Sequence, residues 1–179
     1  MINYKILHDS IEYYEKAGFK RIEAPWTVSE YIDNITKPPG IISFQLKHND
    51  KCLVASGEQS FLYLYLKEFL PLGSYQCITP CYRLESFDFT HSKYFMKNEL
   101  IKTDVVNWAE LTKITDTCLT FFKNYIPNVE IVDTEDGFDI EYKGMELGSY
   151  GIRNCEFLEW IYATGVAEPR LSKIINTIK

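Results

Sequence analysis

The sequence predicts an α+β fold: one antiparallel β-sheet with helices packed on it, in a single domain. Three observations lead there. Strand-like segments outnumber helical ones and fall into pairs joined by short polar turns, rather than alternating with helices. The 179 residues, 46% hydrophobic and 15% aromatic, suffice to bury one substantial core. No repeat, low-complexity stretch or Ser/Gly linker divides the chain, so residues 1–179 read as one folding unit.

The elements follow in order. In YKILHDSIEYYEKAGF, Ile6, Leu7, Ile11 and Tyr14 recur at helical spacing, and Gly18 stands where a helix would stop. FKRIEAPW reads as a short strand ending at Pro25. IISFQLK and KCLVAS flank the polar trio HND, which predicts a β-hairpin over residues 41–56. SGEQSFLYLYLKEFL places Phe61, Leu62, Tyr65, Leu66 and Phe69 on one helical face, with Ser56 or Gly57 near its start. SYQCITPCYRLES and YFMKNELIKTDVV alternate as strands around a loop over 86–93 and form a second antiparallel pair. NWAELTKITDTCLTFFKNYI is an amphipathic helix starting near Asn107. VEIVDTEDGFDIEYKGMELGSYGIR holds two or three more strands, with a turn at Asp136 and Gly137. After EFLEWIYATGVAEP, RLSKIINTIK returns to a helical pattern.

Lys and Arg number 19 against 25 Asp and Glu, a formal charge of -6, so bulk electrostatics disfavour a polyanion such as DNA and leave room only for a local basic pocket. Cys52, Cys77, Cys81, Cys118 and Cys155 are odd in number and never take a C-x-x-C spacing, so they read as reduced thiols. MINYKILHDSIEYY lacks a basic-then-apolar leader, and no apolar run approaches the roughly 18 residues of a membrane span. The expectation is a cytoplasmic protein with no membrane partner.

The chemistry concentrates in YRLESFDFTHSKYFMKNEL, residues 82–100. Arg83 and Glu85 share a strand face, as do Phe95, Lys97 and Glu99 on the returning strand, with His91 on the loop between. Paired, the two strands put a cation, two carboxylates and a flat ring over one patch. Such a patch suits a nucleotide: a guanidinium for phosphate, a ring face for the base, a carboxylate for the base's amino group or a metal. The bland alternative is a surface strand pair with one cross-strand salt bridge, worth roughly 0.2–1 kcal/mol.

Arg-x-Glu followed by His-x-x-x-Phe-x-x-x-Glu resembles motif 2 of the class II aminoacyl-tRNA synthetases. EKAGFKRIEAPW is similar to their motif 1, the helix and strand of the dimer interface. YATGVAEPRLSKII resembles motif 3, a small-residue strand leading to an arginine, here with Ala163, Gly165 and Ala167 before Arg170. Small residues there would let a nucleotide lie close to the backbone. Pro169 stands where the family commonly has an acidic residue, a departure that bears on how Arg170 is aimed.

The resemblance implies a class II synthetase-like antiparallel sheet and the activation of an amino acid, or a related carboxylic acid, as its adenylate. It assigns Arg83 to the α-phosphate of ATP, Phe95 and Arg170 to the two faces of adenine, His91 to the terminal phosphates, and Glu85 to adenine or the amino acid. Mg2+ would accompany ATP, with Glu99 and Glu146 as candidate ligands. VASGEQSF is similar to the segment that holds the ammonium group in seryl-, threonyl- and prolyl-type enzymes, which implies that role for Ser56 and Glu58. MELGSYGIRNCEF resembles the stretch before motif 3 in the seryl and glycyl branches, and there Ser149, with Asn154, would line the side-chain pocket.

Only nine residues follow Arg170 and little precedes the motif-1-like segment, so the expectation is a catalytic core without an anticodon-binding domain. A homodimer through residues 10–26 is implied. The acceptor stays open among a tRNA end, a carrier protein, a protein lysine and a small molecule. Two other readings stand beside the ligase: a non-catalytic paralogue serving as sensor or docking subunit, and a structural dimer with remnant motifs.

Overall fold

The computed structural model describes residues 1–38, 40–84 and 92–178. Asn3 caps the first helix, α1 (Tyr4–Lys16), its Oδ1 accepting from the Lys5 and Ile6 amides at 3.1 and 3.3 Å. The helix stops as expected at Gly18, whose φ of 95° lets the Phe19 amide turn back to the Tyr14 carbonyl. A two-residue strand, β1 (Lys20–Arg21), follows, then β2 (Thr27–Ser29) and the short helix α2 (Glu30–Thr36). Next come β3 (Lys51–Leu53), α3 (Gly57–Leu66), β4 (Ser74–Tyr82), β5 (Tyr94–Lys102) and α4 (Trp108–Lys123). The chain closes with β6 (Glu130–Asp133), β7 (Gly137–Tyr142), β8 (Met145–Cys155), β9 (Leu158–Glu168) and α5 (Arg170–Ile178).

Seven strands form one sheet in the order β1-β4-β5-β9-β8-β7-β6, antiparallel throughout except for the parallel β1–β4 pair. The expected α+β class therefore holds, and β4 and β5 pair over their full length, from Ser74 opposite Lys102 to Tyr82 opposite Tyr94. On one face of the sheet α1, α4 and α5 bury Tyr14, Phe121, Phe122 and Ile174 against Leu100, Tyr150 and Val166. On the other, α2 and α3 pack Ile32, Phe61 and Leu62 onto Ile101 and Trp160. That second layer covers only one end of its face, and the uncovered part of the strands becomes the floor of a cleft.

A buried polar network fixes α1 to the strand pair. Asn98 Nδ2 donates to Ser10 Oγ at 3.0 Å and to Gln76 Oε1 at 2.9 Å. Gln76 Nε2 donates in turn to the Ile11 and Phe19 carbonyls. These donor bonds are met in one relative placement of helix and sheet, so they set the register of α1 on the strands, although Asn98 Oδ1 is buried without a partner among the described residues.

Three expectations are corrected. Within residues 41–56, β3 takes its ladder from β2, Val28 opposite Cys52, on one edge, while on the other the predicted hairpin is shortened to its turn end: Gln45 bridges Cys52, and the Leu46 and Leu53 amides donate to the Lys51 and Phe44 carbonyls, each at 2.9 Å. The reason is burial: Val28 lies in the core under α3 and Cys52 opposite it is buried, whereas Ile41, Ile42 and Ser43 turn toward the cleft. Phe69 leaves the helical face, because α3 ends at Leu66 and Glu68 takes a positive φ of 56°; Phe69 is 70% exposed.

The third correction concerns the small residues of β9. A register shift opposite Asn98 and Glu99 places Gly165 in a bulge, so Ala163 and Ala167 fall on opposite faces of the sheet. Ala163 joins the helix-covered core, and Ala167 lines the cleft. A Cβ on Gly165 would lie 2.8 Å from Tyr14 Cε2 and 3.0 Å from the Asn98 carbonyl oxygen. Tyr14 also donates its hydroxyl to the Gly165 carbonyl at 2.8 Å. The glycine thus serves the seat of α1, and of the three small residues only Ala167 faces the cleft.

Candidate active site

The cleft, about 280 Å³ in volume, lies over β4, β5, β9 and β8 and is bounded by the start of α3 and by residues 36–38 and 41–43. Strand alternation selects what faces it: Phe95 and Lys97 from β5, Tyr162 and Thr164 from β9, Ser149 and Arg153 from β8. Its charge departs from that of the whole chain. Five basic side chains line it among the described residues, Lys37, Arg83, Lys97, Arg153 and Arg170, against two acidic ones, Glu58 and Glu146.

At one end Arg83, Phe95 and Arg170 converge. Arg83 Nε donates to the Ala55 carbonyl at 3.1 Å, and its guanidinium carbon sits 5.2 Å from the centre of the Phe95 ring. Arg170 is the first residue of α5 and donates through Nη1 to Glu146 Oε1 at 2.6 Å. The turn into α5 is held by Glu168, whose Oε1 accepts from the Ser172 amide and hydroxyl while Oε2 accepts from the Asn3 amide. With Pro169 in that turn, Arg170 still reaches the cleft.

At the other end two ion pairs stand side by side. Ser56 caps α3, its Oγ accepting from the Glu58 amide and donating to Glu99 Oε2. Lys97 Nζ reaches the same Oε2 at 2.8 Å. Glu99 Oε1 is buried with no hydrogen-bond partner among the described residues. In the second pair Arg153 Nη1 donates to Glu58 Oε2 at 2.6 Å, and Trp160 Nε1 donates to Glu58 Oε1 at 2.7 Å. The Arg153 guanidinium lies 4.1 Å over the Tyr162 ring. Burial pushes the Glu58 carboxyl above its ordinary range, with Arg153 opposing. Burial also works most strongly against the Arg153 cation, but Glu58, Tyr162 and Glu99 together outweigh it and hold the guanidinium above its usual value.

The predicted site residues are thus gathered with few exceptions. Ser56, Glu58, Arg83, Phe95, Glu146, Ser149 and Arg170 all line the cleft. Glu99 lies beneath the floor, 1% exposed. Glu85 and His91 lie outside the described residues. Asn154 is exposed and falls on the strand face opposite Ser149; Arg153, four positions from Ser149, is the β8 residue that reaches the cleft. The period-two spacing of Ser149, Gly151 and Arg153 carried that signal, and sequence reading missed it. Lys37 was missed too, since α2 was not foreseen; it pairs with the buried Asp33 at 3.0 Å, which also takes Gln59 Nε2.

Among the described residues no three His, Cys, Asp or Glu side chains converge as a metal cage. A divalent cation carried on phosphates asks for only one or two carboxylates, and Glu146 lines the cleft beside Arg170. The donor set therefore fits Mg2+ bound together with a nucleotide.

Solved structures share this architecture. Seryl-tRNA synthetase from Pyrococcus horikoshii, complexed with ATP, aligns over 93% of this chain and 48% of its own, with a TM-score of 0.74 and 14% identity. Pyrrolysyl-tRNA synthetase from Desulfitobacterium hafniense aligns over 97% of this chain and 69% of its own, with a TM-score of 0.73 and 16% identity. The cytoplasmic serine-tRNA ligase of Naegleria fowleri, in complex with AMP, aligns over 94% of this chain and 46% of its own at 0.71 and 16%. The chain has the fold of the class II aminoacyl-tRNA synthetase catalytic core and spans about half the length of these seryl enzymes. No protein-family model and no curated protein matches its sequence. Among the described residues no helix is long and apolar enough to cross a membrane.

Proposed function

We propose that the chain activates an amino acid, or a related carboxylic acid, with ATP as the acyl-adenylate, for transfer to a tRNA end, a carrier protein or another acceptor. The observation that carries this is the convergence of Arg83, Phe95 and Arg170 on a cleft that is basic in a chain of net charge -6. In the reaction a carboxylate oxygen bonds to the α-phosphorus of ATP. The bond to the bridging oxygen breaks, and pyrophosphate leaves with the electron pair. Both reactants are anions, so the work of the side chains is to hold them in line and offset the gathering charge.

Arg83 is assigned to the α-phosphate, since its anchor on the Ala55 carbonyl fixes a planar donor at the cleft wall. Phe95 presents a ring face to adenine and Arg170 a guanidinium plane to the opposite face. Mg2+, when bound, neutralises phosphate charge; Glu146 is the carboxylate placed to meet it, and Glu99, beneath the floor, is the other candidate. The resemblance gives the ammonium group to Ser56 and Glu58. With both Glu58 oxygens engaged, Ser56, which lines the cleft, is the member of that pair we assign to it. Glu85 and His91 complete the nucleotide set by resemblance. Pairing of two copies through residues 10–26, and a cytoplasmic setting, belong to the same reading.

A second reading, a nucleotide sensor without catalysis, draws on the Arg170–Glu146 pair, in which the motif-3 arginine is already engaged. ATP–pyrophosphate exchange, run with Mg2+ against each standard amino acid, separates the two. Exchange with one of them supports adenylation. ATP binding without exchange for any of them favours the sensor.

A further inference from the structure

We propose that Arg153 reads an anionic group at the far end of the acid's side chain, so that the substrate of this cleft is an amino acid with a distal carboxylate or phosphate. The inference rests on the adenylating function proposed above. Its basis is how Arg153 is held. One edge of the guanidinium is fixed by Glu58 at 2.6 Å, and one face by the Tyr162 ring at 4.1 Å. Glu58 is itself pinned by Trp160 and is 4% exposed, so it positions the arginine and offers the cleft no open oxygen. The Arg153 side chain remains 41% exposed and lines the cleft.

The neighbouring pair has the same polarity. Glu99 lies at the bottom, 1% exposed at its side chain, with Lys97 above it at 10%. In both pairs the carboxylate is buried and the cation is the partner nearer the ligand. Ser149 and Thr164, hydroxyl residues, line the cleft between Arg153 and the floor over Lys97. A side chain entering this end meets cations and hydroxyls. Glu58 takes one edge of the guanidinium; a neutral or basic end would leave the remaining N–H donors facing the cleft unmatched in a partly desolvated site, whereas a carboxylate or phosphate takes them.

The test is calorimetric titration of the intact protein, with Mg2+ and a non-hydrolysable ATP analogue, using three anionic–neutral pairs: the isosteric aspartate and asparagine, the isosteric glutamate and glutamine, and O-phosphoserine with serine. The expected result is that the anionic member of at least one pair binds about tenfold or more tightly than its neutral partner. Which pair shows it tells carboxylate from phosphate. In Arg153→Gln, checked for native circular dichroism, that preference should collapse. Neutral members binding as well as anionic ones in all three pairs, no binding by any of the six, or a preference that survives Arg153→Gln would overturn the inference. The wild-type pairs decide the matter even where the variant fails to fold. Titration of the ATP analogue alone reads the adenylation proposal separately. If the analogue binds and no anionic preference follows, only the Arg153 assignment falls; if the analogue fails to bind, the adenylation reading falls.

Discussion

Arg170, the first residue of α5, donates to the Glu146 carboxylate of β8 at 2.6 Å. The pair bridges the cleft end where Phe95 stands, so in the proposed reading the two groups serve the nucleotide before they serve the fold. Arg170→Ala is expected to weaken ATP binding about tenfold, the scale of one cation–π contact. The Glu146 side chain is 43% exposed and stays hydrated without its partner, so loss of the ion pair itself should move the melting temperature little. Calorimetry beside a melting curve checks both. Unchanged affinity with a large fall in melting temperature would make the pair structural.

The Glu58–Arg153 pair leads to a pH prediction. Burial raises the Glu58 carboxyl, and Arg153 is the chief opposing influence. A carboxyl whose folded pKa lies above its unfolded value holds its proton more tightly when folded. Its contribution to stability is full below the unfolded pKa and is lost as pH rises through the folded pKa. Removing Arg153 moves that folded pKa further up. Arg153→Met should therefore cost more near about pH 8 than near about pH 5, roughly 3 kcal/mol at the higher pH. Adding Glu58→Gln should restore much of it. Denaturant midpoints at both pH values decide, and a penalty independent of pH would assign the cost to lost packing on Tyr162.

How much of this was legible in the sequence depends on the range of the interaction. The caps at Asn107 and Ser56, the stop at Gly18 and the β4–β5 pairing are local or nearly so, and the sequence patterns announced them. The convergence of Arg83, Phe95 and Arg170 came only through resemblance, since Arg170 lies on a helix far along the chain from β4. The bulge at Gly165 was not legible, because one extra residue in a strand reverses faces without altering the alternation of small residues. Nor was the pairing of β2 with the other edge of β3, which depends on the core that α3 builds over Val28. Glu58 was read as a partner for an ammonium group; no local pattern reveals that Arg153 and Trp160, on distant strands, already hold it.

The seat of α1 makes a third prediction. Gly165→Ala drives a methyl to within 2.8 Å of the Tyr14 ring, and the Asn98 carbonyl blocks retreat at 3.0 Å. The expected cost is about 1–3 kcal/mol, as for overpacking elsewhere. A fall in urea midpoint at unchanged slope would show it, whereas a neutral substitution would mean that α1 shifts freely on the sheet.

The thiols supply a fourth. Burial pushes Cys81 to about 11 and Cys118 to about 12, and raises Cys77 and Cys52 as well. A buried thiol that stays protonated is a poor nucleophile, while Cys155 is partly exposed. Ellman's reagent should label one thiol rapidly in the native protein and the remaining four only on unfolding. Loss of the fast phase in Cys155→Ser confirms the assignment, and rapid labelling of several thiols would contradict the burial of Cys52, Cys77, Cys81 and Cys118.

The central claim is that one ATP lies in the cleft with its base on Phe95. The direct measurement is calorimetric titration of a non-hydrolysable ATP analogue, with Mg2+, into the wild type and into Phe95→Ala. The account predicts one site per chain and an affinity about tenfold to a hundredfold weaker in the variant, the worth of one base–aromatic stack. No binding to the wild type, or equal affinity in a folded Phe95→Ala, would contradict it.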